Sequence, residues 1–389
     1  MAIRTWTLTD VATGTHVDRL SLGPAEAGGP AGSYAIEKRT LRGGLSEGVD
    51  VIRVVTGDLA YEVLPTRGMG LWKAWLGGEE IGWTSPVRGP VHPGFVPLAE
   101  PSGLGWLDGF DELLVRCGLE SNGAPDFDPR GRLLHPLHGR IANRPAHRVE
   151  VAIDDASGEV TVRGIVEETR FHFVKLRLTS TIVTRAGDPR ILIRDEVENL
   201  SATPASIQLL YHVNIGRPLL GPGARFVAPV RQVVPRDPRA AEGIARWDVY
   251  GAEQPGFAEQ CYYLALYPGP DGRSVAMLRN AEGTRAVGLR MDLGQLPVFT
   301  VWKNTVAAGD GYVTGLEPAT NFPNPRSHEA REGRTVELEP GGRARFDIDL
   351  EIHAGPAAVA AAEAAIAALR ADNVPRVFSA PEPGWCVID

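Results

Sequence analysis

Three short stretches carry the residues best suited to chemistry: Leu134-His-Pro-Leu-His-Gly-Arg140, Leu210-Tyr-His-Val-Asn214 and Gly315-Leu-Glu-Pro318. They supply two imidazoles, His138 and His212, and one carboxylate, Glu317. An imidazole that titrates near neutrality, together with a carboxylate, is what moves protons on a polyhydroxy substrate. Pro318 restricts Glu317 to extended geometry and so aims its side chain; partial desolvation would raise its basicity towards neutral pH. If the apolar run Ile207–Tyr211 continues as a strand, His212 and Asn214 share one face while Tyr211 and Val213 share the other. Two polar side chains emerging together from an apolar strand read as a pocket wall. Gly139 after His138 permits close approach by a ligand, and Arg140 adds donors matched to hydroxyl or carboxylate oxygens. The competing reading of each is structural: His138 capping a turn, His212 hydrogen-bonded inside a sandwich, Glu317 paired with Arg326 or Lys303.

A second set offers recognition. Arg67 lies at the glycine-rich turn Pro65-Thr-Arg-Gly-Met-Gly70, and Asp237, Glu259 and Gln260 lie in or beside the longest loop. Trp72, Trp83, Trp106 and Trp302 offer apolar faces to a sugar ring, although each taken singly reads first as core. His135, His138, His212 and Glu317 are a conceivable metal set, but no spacing demands it. Neither GxGxxG nor GxxxxGK[ST] occurs, so a nucleotide has no support. No motif marks a nucleophile. The expectation is acid–base chemistry with no metal, no cofactor and no covalent intermediate.

The elements that must position these residues are strands. In Arg343–His353, Ala344, Phe346, Ile348, Leu350 and Ile352 alternate without error against charged neighbours, the pattern of a half-buried antiparallel strand. Val174–Ile182 and Ile191–Glu198 repeat it, with Asp195 interrupting the apolar face of the second. Further strands are expected at 50–55, 59–64, 158–165, 206–211, 262–267, 274–279, 286–291 and 298–302. Only Pro356–Asp372, alanine-rich and led by proline, reads clearly as helix, and it is expected to pack on the body. The 45 glycines and 31 prolines fall as turn signals between short strands. Regions 84–105 and 215–260 are loop-rich, and loops of that length are usually functional. No repeat or composition shift marks a border, so one all-β domain over 1–389 is expected, with its core at about 50–353.

A net charge of −8 with both signs interspersed, and no basic run, argues against nucleic acid or an anionic membrane as partner. Cys117, Cys261 and Cys386 are far apart and form no CxxC pair, which fits a reducing compartment. With no signal-like start and no long apolar run, a cytoplasmic protein is expected.

His138-Gly139, His212 with Asn214, and Leu316-Glu317 with Asn321-Phe-Pro323, in this order, resemble the galactose mutarotase (aldose 1-epimerase) superfamily. Arg67-Gly-Met-Gly70, Trp106-Leu-Asp-Gly-Phe110, Cys117-Gly-Leu119 and Trp302-Lys303 look like features of a divergent branch of it. The resemblance implies a large antiparallel β-supersandwich with an open carbohydrate cleft. It implies His212 as general acid and Glu317 as general base, set far enough apart to hold a pyranose. It implies His138 with Arg67 or Arg140 on sugar oxygens and Asp237 on hydroxyls; Asn214, Trp302 and Lys303 complete the expected binding set. The expected partner is a small sugar, and a homodimer is compatible. Two departures stand out: the aromatic-Phe-Asn run near the acid histidine is missing, and His138-Gly-Arg140 replaces a His-Gly-Gly form. The added arginine suggests an acidic or otherwise modified sugar. The implied activity is anomer interconversion. A carbon-centred keto-sugar isomerase or epimerase and a non-catalytic sugar-binding protein are the alternatives.

Overall fold

The computed structural model describes residues 3–24 and 34–388. In Lys175–Arg185 and Arg190–Asn199 every second residue is buried, because one side of a pleated strand faces the core. The strands expected from alternation all form, most of them longer at one or both ends: Glu159–Thr169, Ala205–Ile215 and Gln260–Leu266, for example. They assemble into two large sheets. One runs through ten strands, from Arg225–Val227 at one edge to Thr15–His16 at the other, with Arg343–Ala354 beside Arg190–Asn199 near its middle. The second places Gln260–Leu266, Val298–Asn304, Val313–Ala319, Ala205–Ile215, Leu114–Leu119 and Gly70–Leu76 side by side. Each neighbouring pair in that run is antiparallel. The sheets share one apolar core, to which Leu178, Ile193 and Ile348 come from the first and Tyr211, Val213 and Leu316 from the second.

Asp195 explains the interruption in its strand. Arg116 reaches across from the second sheet and binds it through Nε (2.5 Å) and Nη2 (3.1 Å), while the Tyr211 hydroxyl donates to the same carboxylate at 2.8 Å. Both charged side chains are fully buried, so each requires the other: a single buried ion without its partner costs several kcal/mol.

Ala205–Ile215 is buried on both faces. Its inner side, Leu209, Tyr211 and Val213, joins the common core. Its outer side is covered by a second apolar cluster in which Trp83, Trp106 and Phe110 pack on Leu210, Val115 and Cys117. The loop-rich stretch that opens near residue 84 thus folds back over the outer face of the second sheet. A strand that would otherwise present one wet face is roofed instead.

The C-terminal helix spans Pro356–Arg370, and its Val359 and Ile366, seven apart and so on one face, pack on Val275, Met277 and Ala286. Two shorter helices form as well: Pro238–Glu242, within the region read as loop-rich, and Arg326–Arg331, for which no helix was expected. No helix among the described residues is long and apolar enough to cross a membrane. All three cysteines are free and buried.

Candidate functional site

The register Val213↔Leu316, Asn214↔Gly315 between Ala205–Ile215 and Val313–Ala319 sets His212 level with Glu317 on adjacent strands. On the outer face the two side chains meet: His212 Nε2 lies 3.3 Å from Glu317 Oε1. Room for this contact comes from Gly315. A Cβ there would stand 2.5 Å from Glu317 Oε1 and 2.8 Å from His212 Cε1. The glycine of the Gly-Leu-Glu element is needed for space rather than for an unusual backbone.

The proton inventory of the pair follows from its partners. Asn214 Nδ2 donates to two backbone carbonyls, Glu112 O at 2.9 Å and His212 O at 3.2 Å. Its Oδ1 is therefore the acceptor of the 2.6 Å bond to His212 Nδ1, which makes Nδ1 the protonated nitrogen. Neutral His212 then presents a lone pair at Nε2, towards Glu317. Burial lowers the pKa of His212 well below its ordinary value, helped by nearby His138. Burial also pushes Glu317 up to about 8, with Glu259 adding to the rise and Arg236 opposing it. Both shifts favour a neutral imidazole beside a protonated carboxyl. The expected gap is absent: the two groups are neighbours on one wall of the cleft. Glu317 Oε1 is buried and, apart from its approach to His212 Nε2, has no polar partner among the described residues.

That cleft encloses about 500 Å³ and is lined by Trp83, Trp106, Phe110, His138 and Trp302 around the pair. The His212 ring lies 5.2 Å from Phe110 and 5.5 Å from Trp302, both edge-to-face. His138 stands over Trp106, with ring centroids 4.6 Å apart, and lies 5.3 Å from His212. Its Nδ1 is 2.9 Å from Asn122 O; a carbonyl only accepts, so Nδ1 carries the hydrogen and Nε2 is an acceptor. Burial brings its pKa down to about 4. His138 holds φ at 56°, a left-handed conformation that few non-glycine residues adopt and that collects at functional sites. Aromatic faces with a few fixed polar atoms are the usual composition of a small-molecule site.

Of the residues expected to bind sugar, His138 and Trp302 line this cleft, and several others lie elsewhere. Arg67 is wholly buried behind the wall, where Nε binds Glu112 at 2.5 Å and the Nη atoms bind Asn143 Oδ1 and the carbonyls of Val91 and Gly109. It steadies Glu112, whose carbonyl receives Asn214, and it lies outside the lining of the cleft. Asn214 itself positions His212. Lys303 follows Trp302 in a strand and so points the other way, its Nζ held by Arg246 O (3.0 Å) and Val249 O (2.8 Å). Asp237 caps the helix Pro238–Glu242 through Ala240 N at 2.8 Å. Arg140 precedes the short 3-10 turn Ile141–Asn143 and lies outside the lining. Trp72 is likewise outside, its Nε1 bonded to Asp111 at 2.7 Å, and Gln260 is turned to Arg239 O. His135 stands 3.9 Å from Glu120. No three His, Cys, Asp or Glu side chains converge on a metal-sized point among the described residues.

Phe110, which ends the Trp106-Leu-Asp-Gly-Phe110 stretch but was given no role of its own, lines the cleft, as do Arg236 and Asp310, which the sequence reading did not name. Strand alternation offers no signal for loop residues. Arg236 had one: it precedes Asp237 in the loop from which the neighbour was chosen.

A family model described as "Domain of unknown function (DUF4432)" matches residues 46–352. A crystal structure from Klebsiella pneumoniae subsp. pneumoniae MGH 78578, named "putative aldose 1-epimerase", is 33% identical and covers 98% of this chain and 99% of its own, with a TM-score of 0.95. A galactose mutarotase-like protein from Clostridium acetobutylicum is 15% identical over 82% of this chain and 98% of its own, at a TM-score of 0.57. The galactose 1-epimerase of Lactobacillus acidophilus NCFM is 12% identical over 82% and 99%, at 0.54; these two share the fold. No curated protein matches. With a family model spanning most of its length and a relative matched nearly end to end, the chain belongs to the DUF4432 family, within the galactose mutarotase-like (aldose 1-epimerase-like) superfamily.

Proposed function

We propose that this protein is a mutarotase, interconverting the anomers of a free aldose by general acid–base ring opening at His212 and Glu317. The observation that carries the reading is the 3.3 Å His212–Glu317 contact in an aromatic cleft, and the lowered imidazole and raised carboxyl pKa values support it. The anomeric hydroxyl oxygen and the ring oxygen are bonded to the same carbon. An acid and a base side by side can therefore address both at once. His212 Nε2 takes the hydroxyl proton and Glu317 delivers its own to the ring oxygen. The bond from the anomeric carbon to the ring oxygen breaks as the carbonyl forms, leaving imidazolium and carboxylate. Rotation about the C1–C2 bond offers the other carbonyl face, and closure returns each proton along the reverse path. The pair begins and ends with one proton, so no solvent exchange is required. Each positioned acid or base typically contributes ~10²–10⁴-fold in rate. Phe110 and Trp302 support the ring faces, and His138 Nε2 accepts from a sugar hydroxyl.

The experiment is NMR exchange spectroscopy in D₂O with the protein and a panel of free aldoses. The expected result is faster α/β exchange of at least one sugar with no deuterium entering carbon. Exchange at the uncatalysed rate for every aldose would remove the proposal; carbon-bound deuterium would move the chemistry to a keto-sugar isomerase or epimerase.

A further inference from the structure

Arg236 is the only arginine or lysine lining the cleft among the described residues, and it is already occupied. Its Nε binds Asp237 Oδ2 at 2.9 Å, and its Nη2 reaches Asp237 Oδ2 (2.8 Å) and Glu259 Oε1 (2.9 Å). Glu259 also holds Trp302. Its Oε2 accepts from Trp302 Nε1 at 2.6 Å and so orients the indole that faces the sugar. One cation thus sits between two carboxylates. Asp310, also in the lining, has no ion-pair partner among the described residues. With both histidines uncharged, the mouth of the cleft carries net negative charge.

We infer that Glu259 and Asp237 are specificity-determining residues that mask Arg236, so that the cleft admits uncharged sugars and refuses phosphorylated, sulfonated or carboxylated ones. The inference deepens the mutarotase reading by naming its substrate class, and it runs against the expectation of an acidic or otherwise modified sugar: neither Arg67 nor Arg140 lines the cleft, and Arg236 is paired with two carboxylates. An anion entering here meets a guanidinium whose charge is offset by Asp237 and Glu259, with Asp310 adding repulsion, whereas a hydroxyl meets no such penalty. Arg236 Nη1 makes no hydrogen bond to a described residue, so removing the mask would expose a ready receptor for a phosphate oxygen.

The test uses isosteric variants that keep the other contacts. Glu259→Gln retains an oxygen for Trp302 Nε1, and Asp237→Asn retains one for Ala240 N. Inorganic phosphate is titrated into the wild-type chain, each single variant and the double variant, followed by phosphorus NMR and calorimetry. The wild type is expected to show no saturable binding. The double variant is expected to bind at least about tenfold more tightly, with intermediate singles and complete loss when Arg236→Gln is added. Arg236-dependent binding by the wild type as tight as that of the variants would overturn the inference. So would variants that gain nothing, or a gain that survives Arg236→Gln. Phosphate binding needs no turnover, so this outcome is independent of whether aldoses are interconverted. Anomer exchange of a sugar 6-phosphate relative to its free sugar, rising in the double variant, would then join the two.

Discussion

Asn214 Oδ1 lies 2.6 Å from His212 Nδ1, and two backbone carbonyls fix which end of the amide faces the ring. This one bond sets the tautomer of His212 and aims Nε2 at Glu317. Behind it, the Glu112 carbonyl that receives Asn214 belongs to a residue clamped by Arg67. The wall is built outwards from the core, and the reacting atoms are its last layer.

Replacing Asn214 by leucine should lower the exchange rate about 10²-fold with little change in sugar affinity, since the imidazole would lose its fixed tautomer. Asn214→Asp should behave differently. A carboxylate beside Nδ1 stabilises imidazolium and raises the histidine pKa, moving the acid limb of the rate profile up. Proton NMR titration of His212 in both variants, alongside the rate profiles, checks this.

The wild-type profile has a defined shape. The productive state holds one proton on the pair, so activity should fall as pH rises through about 8, where Glu317 loses it. On the acid side it should hold well below pH 6.5, because burial disfavours protonation of His212. The dependence of kcat/KM on pH, measured by exchange spectroscopy, reads both limbs. A base limb near the ordinary carboxylate range would contradict the assignment.

Gly315→Ala tests the packing of the pair. A methyl group 2.5 Å from Glu317 Oε1 and 2.8 Å from His212 Cε1 must displace both. A misplacement of that size costs roughly 10²-fold in rate. Cooperative melting should be retained, so rate and melting temperature measured together separate a displaced site from a lost fold.

How much of this could be read from the chain depends on what each residue answers to. Strand alternation reports local burial, and it located Arg343–Ala354; the strand carrying His212, buried on both faces, shows in the sequence only as an apolar run. The same rule separates Trp302 from Lys303: consecutive strand residues face opposite sides, so only one could line the cleft. Asp195 looked like a flaw in a strand until Arg116, 79 positions away, supplied its partner. Arg67, in a turn followed by Gly68 and Gly70, has the appearance of a surface residue, and its burial is set by Glu112 from another part of the chain. The spacing between His212 and Glu317 rests on strand register, which no local pattern states.

His138 offers a separate check. At φ of 56° a side chain with a Cβ is strained, by about 1 kcal/mol or more. His138→Ala loses the ring packed on Trp106 and keeps the strain; His138→Gly loses both. The glycine variant should therefore be the more stable of the two by about 1 kcal/mol, as read from denaturant melts.

Glu317→Gln is the measurement closest to the centre of the account. The glutamine cannot deliver a proton, so anomer exchange of the best aldose should fall to the uncatalysed rate. Stability should move in the opposite direction. The native carboxyl has its pKa raised from 4.5 to about 8, so stability present below pH 4.5 is lost progressively as pH rises through 8. Removing that titration should add roughly 1–3 kcal/mol at neutral pH. A Glu317→Gln protein that is folded, more stable and inactive is the predicted result; one that exchanges anomers at the wild-type rate would contradict the account.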